Sequence, residues 1–250
     1  MSKRFVYLVA VAMVAALGAW LLWGAVAHAA EGGETVVKEG KSLFELFKST
    51  GLVGILLLTC SIIGTALLIQ HLVTINEANL ANPDLLGEIE NLLTQGEHDE
   101  ALSMAESDAT YAGRVMAGAL ARSAGGYEEA RKGMEEAASL ELFHLNAKIS
   151  YLSLIGNIGP LLGLLGTVTG MISSFQIIES MKAPTPGDLA KGVYESLVNT
   201  TIGLFIAIVF LSAYFFMKNK VLDLTLRINT HISEVLSRGL GADQQTPERR

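Results

Sequence analysis

The chain has 250 residues, half of them hydrophobic and only 17% charged. Its mean hydropathy of +0.42 points to a membrane protein before any motif is read. A formal charge of −7 leaves no basic footprint for nucleic acid, and the lone Cys60 excludes a disulfide within the chain.

The first 29 residues read as a secretory signal. Lys3 and Arg4 form a basic start, an apolar run follows from Phe5 to Ala27, and Ala27-His28-Ala29 gives a small-x-small cleavage site. Cleavage after Ala29 would leave residues 30–48 as a periplasmic N-terminal segment. The run is also long for a signal, so a retained spanning helix is the alternative.

Three further stretches lack any Asp, Glu, Lys or Arg: Ser49–Asn76, Ile149–Ile178 and Ser196–Met217. A helix rises about 1.5 Å per residue and a bilayer core is about 30 Å thick, so roughly 20 residues suffice to cross it. We assign transmembrane helices to 50–75, 149–178 and 196–217. The second is long enough to project, tilt or bend at Pro160.

The polar segment 77–148 reads as helices. Asn82-Pro83-Asp84 is a helix start, and Gly96 ends the run that carries Leu85, Leu86, Ile89, Leu92 and Leu93. Ala101, Leu102 and Ala105 mark a second helix, and Gly125-Gly126 breaks the pattern. From Tyr127 to Lys148 an amphipathic helix, with Ala130, Met134, Ala138 and Leu145 on its apolar side, runs into the second span. The tail 218–250 places Val221, Leu224, Ile228, Ile232 and Val235 on one side and ends in the polar QQTPERR.

Charge orients the chain. Lys3 and Arg4 stay inside, and Lys218, Lys220 and Arg227 follow the last span, as the positive-inside rule asks. Segments 77–148 and 218–250 are then cytoplasmic, and the loop 179–195 is periplasmic. Lys38, Lys41 and Lys48 oppose this mildly, and no Lys or Arg from Thr50 to Tyr111 supports it.

The second span has Gly156, Gly159, Gly163, Gly166 and Gly170 at steps of three and four, along one face. Small residues let helix backbones approach closely in lipid, so helix packing is the plain reading of these glycines and of Gly203 in the third span. It does not explain the hydroxyls. Thr167 and Thr169 can each bond back to a carbonyl one turn earlier. In the third span, with Glu195 at 0° and about 100° per residue, Asn199 falls near 40°, Gly203 near 80° and Thr200 near 140°. Glu195 alone is a helix-start acid. Together with an amide and two threonines it points to a polar lumen. No acid or base lies deep in any span, and Thr and Asn do not titrate at useful pH. A proton path along these helices therefore needs a carboxylate from another subunit.

The blocks GPLLGLLGTVTGMISSF (159–175) and GVYESLVNTTIGLFIAI (192–208) resemble those of the MotA/TolQ/ExbB proton-channel family, and most closely its ExbB-type members. The resemblance covers all three spans, the helical cytoplasmic segment and their order. It implies an all-α membrane protein with three long transmembrane helices and a helical cytoplasmic extension, assembled as a homopentameric barrel around a central pore. It also implies a partner of the ExbD/TolR type, a single-span protein whose aspartate carries the proton, and through it a TonB-like energiser in the bacterial inner membrane. By position, Thr167 and Thr200 match the two pore threonines, Glu195 the glutamate at the pore mouth, and Pro160 the proline of the first block. Departures are Val209 where the family commonly has proline, Tyr214-Phe215 where it has Tyr-Asn, and Gln70-His71 where it has an acid-Arg pair. His71 reads as a solvated residue at the membrane border.

The expected function is an ExbB-like subunit of a proton-driven motor that energises TonB-dependent outer-membrane transport. Alternatives are a TolQ-like envelope-maintenance subunit, a MotA-like stator subunit and a non-conducting scaffold. No triad, metal-ligand spacing or phosphate loop argues for an enzyme or a cofactor.

Overall fold

The computed structural model describes residues 51–180 and 185–241. The expected signal, the segment 30–48 expected to be periplasmic, and the last residues of the tail lie outside these. Every regular element among the described residues is helical: α1 (Gly51–Thr74), α2 (Glu77–Leu80), α3 (Pro83–Gln95), α4 (His98–Ser107), α5 (Tyr111–Leu120), a 3-10 turn (Ser123–Gly125), α6 (Tyr127–Ser180) and α7 (Pro186–Gly241). Three of them, α1, α6 and α7, are long and apolar enough to cross a membrane. At 54 and 56 residues, α6 and α7 each have a contour of about 80 Å, far beyond a bilayer core of about 30 Å. The amphipathic segment and the second apolar stretch are therefore one helix. It runs on through Pro160, where the missing N–H leaves the Gly156 carbonyl without its usual partner one turn on.

The described chain falls into two compact units. One comprises 51–65, 154–180 and 185–212; the other comprises 66–153 and 213–241.

The second unit is built from short helices with local signals. Asn82 caps α3, its side chain accepting from the Asp84 N–H at 3.2 Å, with Pro83 as the first helical residue. Gly96 ends α3 at φ 82°, a left-handed position that favours glycine. Thr110 caps α5 by accepting from the Gly113 N–H at 3.2 Å. The apolar faces close one core. Leu85, Leu86, Ile89 and Leu93 are buried with Ala112, Val115 and Met116, and with Ala130, Met134 and Ala138 of α6. Val221, Leu224, Ile228, Ile232 and Val235 of α7 are all buried as well, the stripe that the sequence placed on one side. Gly118 and Gly133 let α5 and α6 touch backbone to backbone. The Tyr111 hydroxyl donates to Asn229 Oδ1 at 2.9 Å.

One expectation is overturned here. His71 is not solvated: it is 7% exposed and sits beside Lys148. The helix before it is apolar all round, so periodicity along α1 could not show that its last turn enters a core.

Candidate intramembrane seam

The first unit is organised by a close antiparallel approach of α6 and α7. A Cβ placed on Gly159 would stand 2.9 Å from the Gly203 carbonyl oxygen, and one on Gly203 would stand 2.5 Å from the Gly159 carbonyl oxygen. One turn on, a Cβ on Gly163 would meet Thr200 Cα at 3.0 Å. Next, Gly166 lies under the Asn199 side chain, and Gly170 under the Ser196 hydroxyl. At the end of the row, Gly192 lies against the Ser174 hydroxyl. The rungs Gly159/Gly203, Gly163/Thr200, Gly166/Asn199 and Gly170/Ser196 thus form one ladder. On its α6 rail a Cβ would clash at Gly159, Gly166 and Gly170 and would be tight at Gly163. In lipid, where apolar burial gives no net drive, such backbone contact is what holds helices together. At Gly64 the Phe210 ring fills the space a side chain would need, which ties α1 to α7.

The hydroxyls along the ladder are all engaged. Thr200 Oγ1 donates across it to the Gly163 carbonyl at 3.2 Å. Ser196 Oγ donates to Gly192 O at 2.7 Å within its own helix and reaches Thr167 O at 3.3 Å across the ladder. Thr167 Oγ1 donates to Leu164 O at 2.7 Å, and Thr169 Oγ1 to Leu165 O at 2.9 Å. Thr167 and Thr200 are half-buried. Asn199 is buried, at 4% exposure, and its Oδ1 has no hydrogen-bond partner. Glu195 falls within α7, but its side chain lies outside the described residues.

Ser174 and Ser196, buried at 1% and 3% exposure, were not singled out from the sequence. The signal was present: Gly192, Ser196, Asn199 and Gly203 recur at steps of four, three and four. Such a row marks a helix-packing face.

Residues 105–230, just over half of the chain, match the MotA/TolQ/ExbB proton channel family. The chain belongs to this family. The match takes in the whole ladder of α6 and α7 and, before it, α5 and the amphipathic start of α6; α1 to α3 lie outside it. Among its relatives is a putative biopolymer transport protein ExbB homolog of Methanothermobacter thermautotrophicus, 24% identical over 183 residues, 73% of this chain and 65% of that protein. The Tol-Pal system protein TolQ of Pseudomonas aeruginosa is 37% identical over 87 residues, 35% of this chain and 38% of the relative. The biopolymer transport protein exbB1 of Vibrio cholerae is 40% identical over 79 residues, 30% of this chain and 35% of the relative. The chain therefore spans less than two thirds of the length of each of these relatives. ExbB-type and TolQ-type members lie at comparable distance from it.

Proposed function

We propose that this chain is the ExbB-like subunit of a proton-driven motor in the bacterial inner membrane. Five copies surround a pore, and Thr167, Thr200, Asn199 and Glu195 border the proton path. An ExbD/TolR-type single-span partner supplies the proton-carrying aspartate, and the output energises TonB-dependent transport across the outer membrane. The observation that carries the reading is the ladder itself. Both family blocks meet along one seam between two membrane helices, and neither apolar stretch contains an Asp, Glu, Lys or Arg. Hydroxyl and amide groups can hold water and orient a proton carrier, but they cannot carry the charge themselves.

The test uses Thr167→Ala and Thr200→Val in cells whose outer-membrane uptake depends on the complex. Energised uptake is lost while the assembled complex is still recovered from membranes. Wild-type uptake in both variants sinks the reading.

A TolQ-like output is the second reading, favoured by the similarity to the Pseudomonas protein. Deleting the gene separates the two. Loss of uptake with an intact envelope supports the first, and envelope leakage with normal uptake supports the second.

A further inference from the structure

We propose that Asn199 Oδ1 binds a neutral O–H donor from outside the chain, in the seam between α6 and α7. This deepens the channel reading by naming what its polar seam takes, and it can be tested on the chain alone.

Three observations carry it. First, Asn199 is buried and its Oδ1 is without a partner. A buried amide oxygen in low dielectric is costly to leave unpaired. Second, the hydroxyls along the seam have no proton to give. A hydroxyl has one. Those of Thr167, Thr169, Ser174, Ser196, Thr200 and Thr201 all point at helix carbonyls: Leu164, Leu165, Gly170, Gly192, Gly163 and Leu197 respectively. What remains on these oxygens is lone pairs. Third, Gly166 makes room for the amide: a Cβ there would stand 2.8 Å from Asn199 Nδ2 and 2.6 Å from its Cβ. The seam is therefore fitted around this side chain, and its oxygen is covered but unpartnered.

The chemistry of the missing group follows. An array of lone pairs repels a carboxylate or any other anion. A bare cation takes several converging oxygens, whereas one buried oxygen is left unpartnered here. A neutral O–H is attracted, brings no charge into the seam and can share its proton with Asn199 Oδ1. Two sources fit: a water molecule, and the protonated carboxyl of another chain. An ionised carboxylate does not.

The test is water-edited magic-angle-spinning NMR on the isotope-labelled full chain in lipid bilayers. It follows polarisation from water protons to the Asn199 side-chain amide. The exposed Asn91 amide sets the fast limit and the exposed apolar Leu161 on α6 the slow one. Transfer to Asn199 as fast as to Asn91 is expected, and Asn199→Leu removes that signal. Asn199→Ser, which keeps an acceptor of smaller size, provides the assignment should the leucine variant misfold. Repeating the measurement with a single-span partner that carries an intramembrane Asp separates the sources. Retained water transfer identifies water; a new contact from the Asp carboxyl carbon to Asn199 identifies the protonated acid. Transfer as slow as to Leu161 in both samples, with no carboxyl contact, overturns the proposal. Fast transfer without partner-dependent proton flux leaves the site standing and removes the channel reading.

Discussion

Thr200 donates its hydroxyl to the carbonyl oxygen of Gly163, 37 residues earlier in the chain, at 3.2 Å. The bond is long for a hydroxyl donor, and it crosses the ladder where the two helix backbones nearly touch. Gly163 therefore serves two ends: it permits the approach, and its carbonyl holds the proton of a side chain proposed to border the path.

Removing that hydroxyl separates packing from conduction. Thr200→Val keeps the shape and deletes one interhelical hydrogen bond, which in membrane proteins contributes on average about 0.6 kcal/mol. Thermal unfolding of the complex in detergent is expected to shift little. Partner-dependent proton flux into liposomes is expected to fall severely, and Thr200→Ser is expected to restore it. Equal loss of stability and flux in Thr200→Val would reduce the residue to packing alone.

The glycines behave in the opposite way. A Cβ on Gly203 would stand 2.5 Å from the Gly159 carbonyl oxygen, and backbone cannot move aside as a flexible side chain can. Gly203→Val is expected to cost about 1–3 kcal/mol or more, as overpacking does in a tight core. The fall should appear as a lower melting temperature and poorer recovery of assembled complex. By contrast Gly87, where a Cβ meets nothing within 4 Å, should accept alanine with no loss of stability. Indifference at Gly203 would contradict the ladder.

Local signals and tertiary ones were not equally legible in the sequence. Asn82-Pro83-Asp84 and Gly96 announce the ends of α3 because capping depends on a few consecutive residues. The Val221 to Val235 stripe is legible because burial on one face imposes a helical period. The glycine face of α6 was legible for the same reason. Its pairing was not: that Gly166 faces Asn199 and Gly170 faces Ser196 depends on the register of two helices, which neither encodes alone. Ser174 and Ser196 escaped notice because a hydroxyl in an apolar stretch gives no hint of whether it faces lipid, a lumen or a neighbour. His71 was misplaced because α1, apolar on every side, has no polar face to mark where its end is covered. The loss of charge at Ile149 marks a change of surroundings but not a helix end, so α6 runs past it without a break.

In the second unit, Tyr111 offers a test by pH. The residue is 3% exposed, and its hydroxyl donates to Asn229 Oδ1. Burial pushes its phenol above the ordinary tyrosine value, and the charge of Glu141 adds in the same direction. The folded state thus holds the proton to higher pH than the unfolded chain, which releases it near pH 10. The stabilisation is fully present below about pH 10 and is lost as pH rises through the folded-state value. Melting temperatures of wild type and Tyr111→Phe, compared at each pH, should converge above that point. At neutral pH the variant is expected to be less stable by about 0.5–1.5 kcal/mol, since Asn229 Oδ1 loses its donor. A difference that stays constant into strong alkali would show that Tyr111 keeps no proton the unfolded chain gives up.

The surfaces that the ladder leaves open bear on the proposed homopentamer. On α6, Leu161, Val168, Ile172 and Phe175 are exposed at helical steps, and on α7 so are Leu197, Leu204 and Ile208. Lipid tails solvate such side chains as well as protein does, so their exposure alone drives no assembly; close packing decides which of them meets a second copy. Tryptophan placed in turn at Leu161, Ile172, Leu197 and Ile208 separates the two surroundings. Where the side chain faces lipid, the larger ring is accommodated and native mass spectrometry of the complex in detergent still gives five copies. Where it meets a neighbouring protomer, overpacking splits the assembly while the chain keeps its helical circular dichroism. Five copies in the wild type and loss of them from one stripe are the expected results. A wild-type chain that stays monomeric in native membranes as well as in detergent would remove the pentamer and, with it, the central pore.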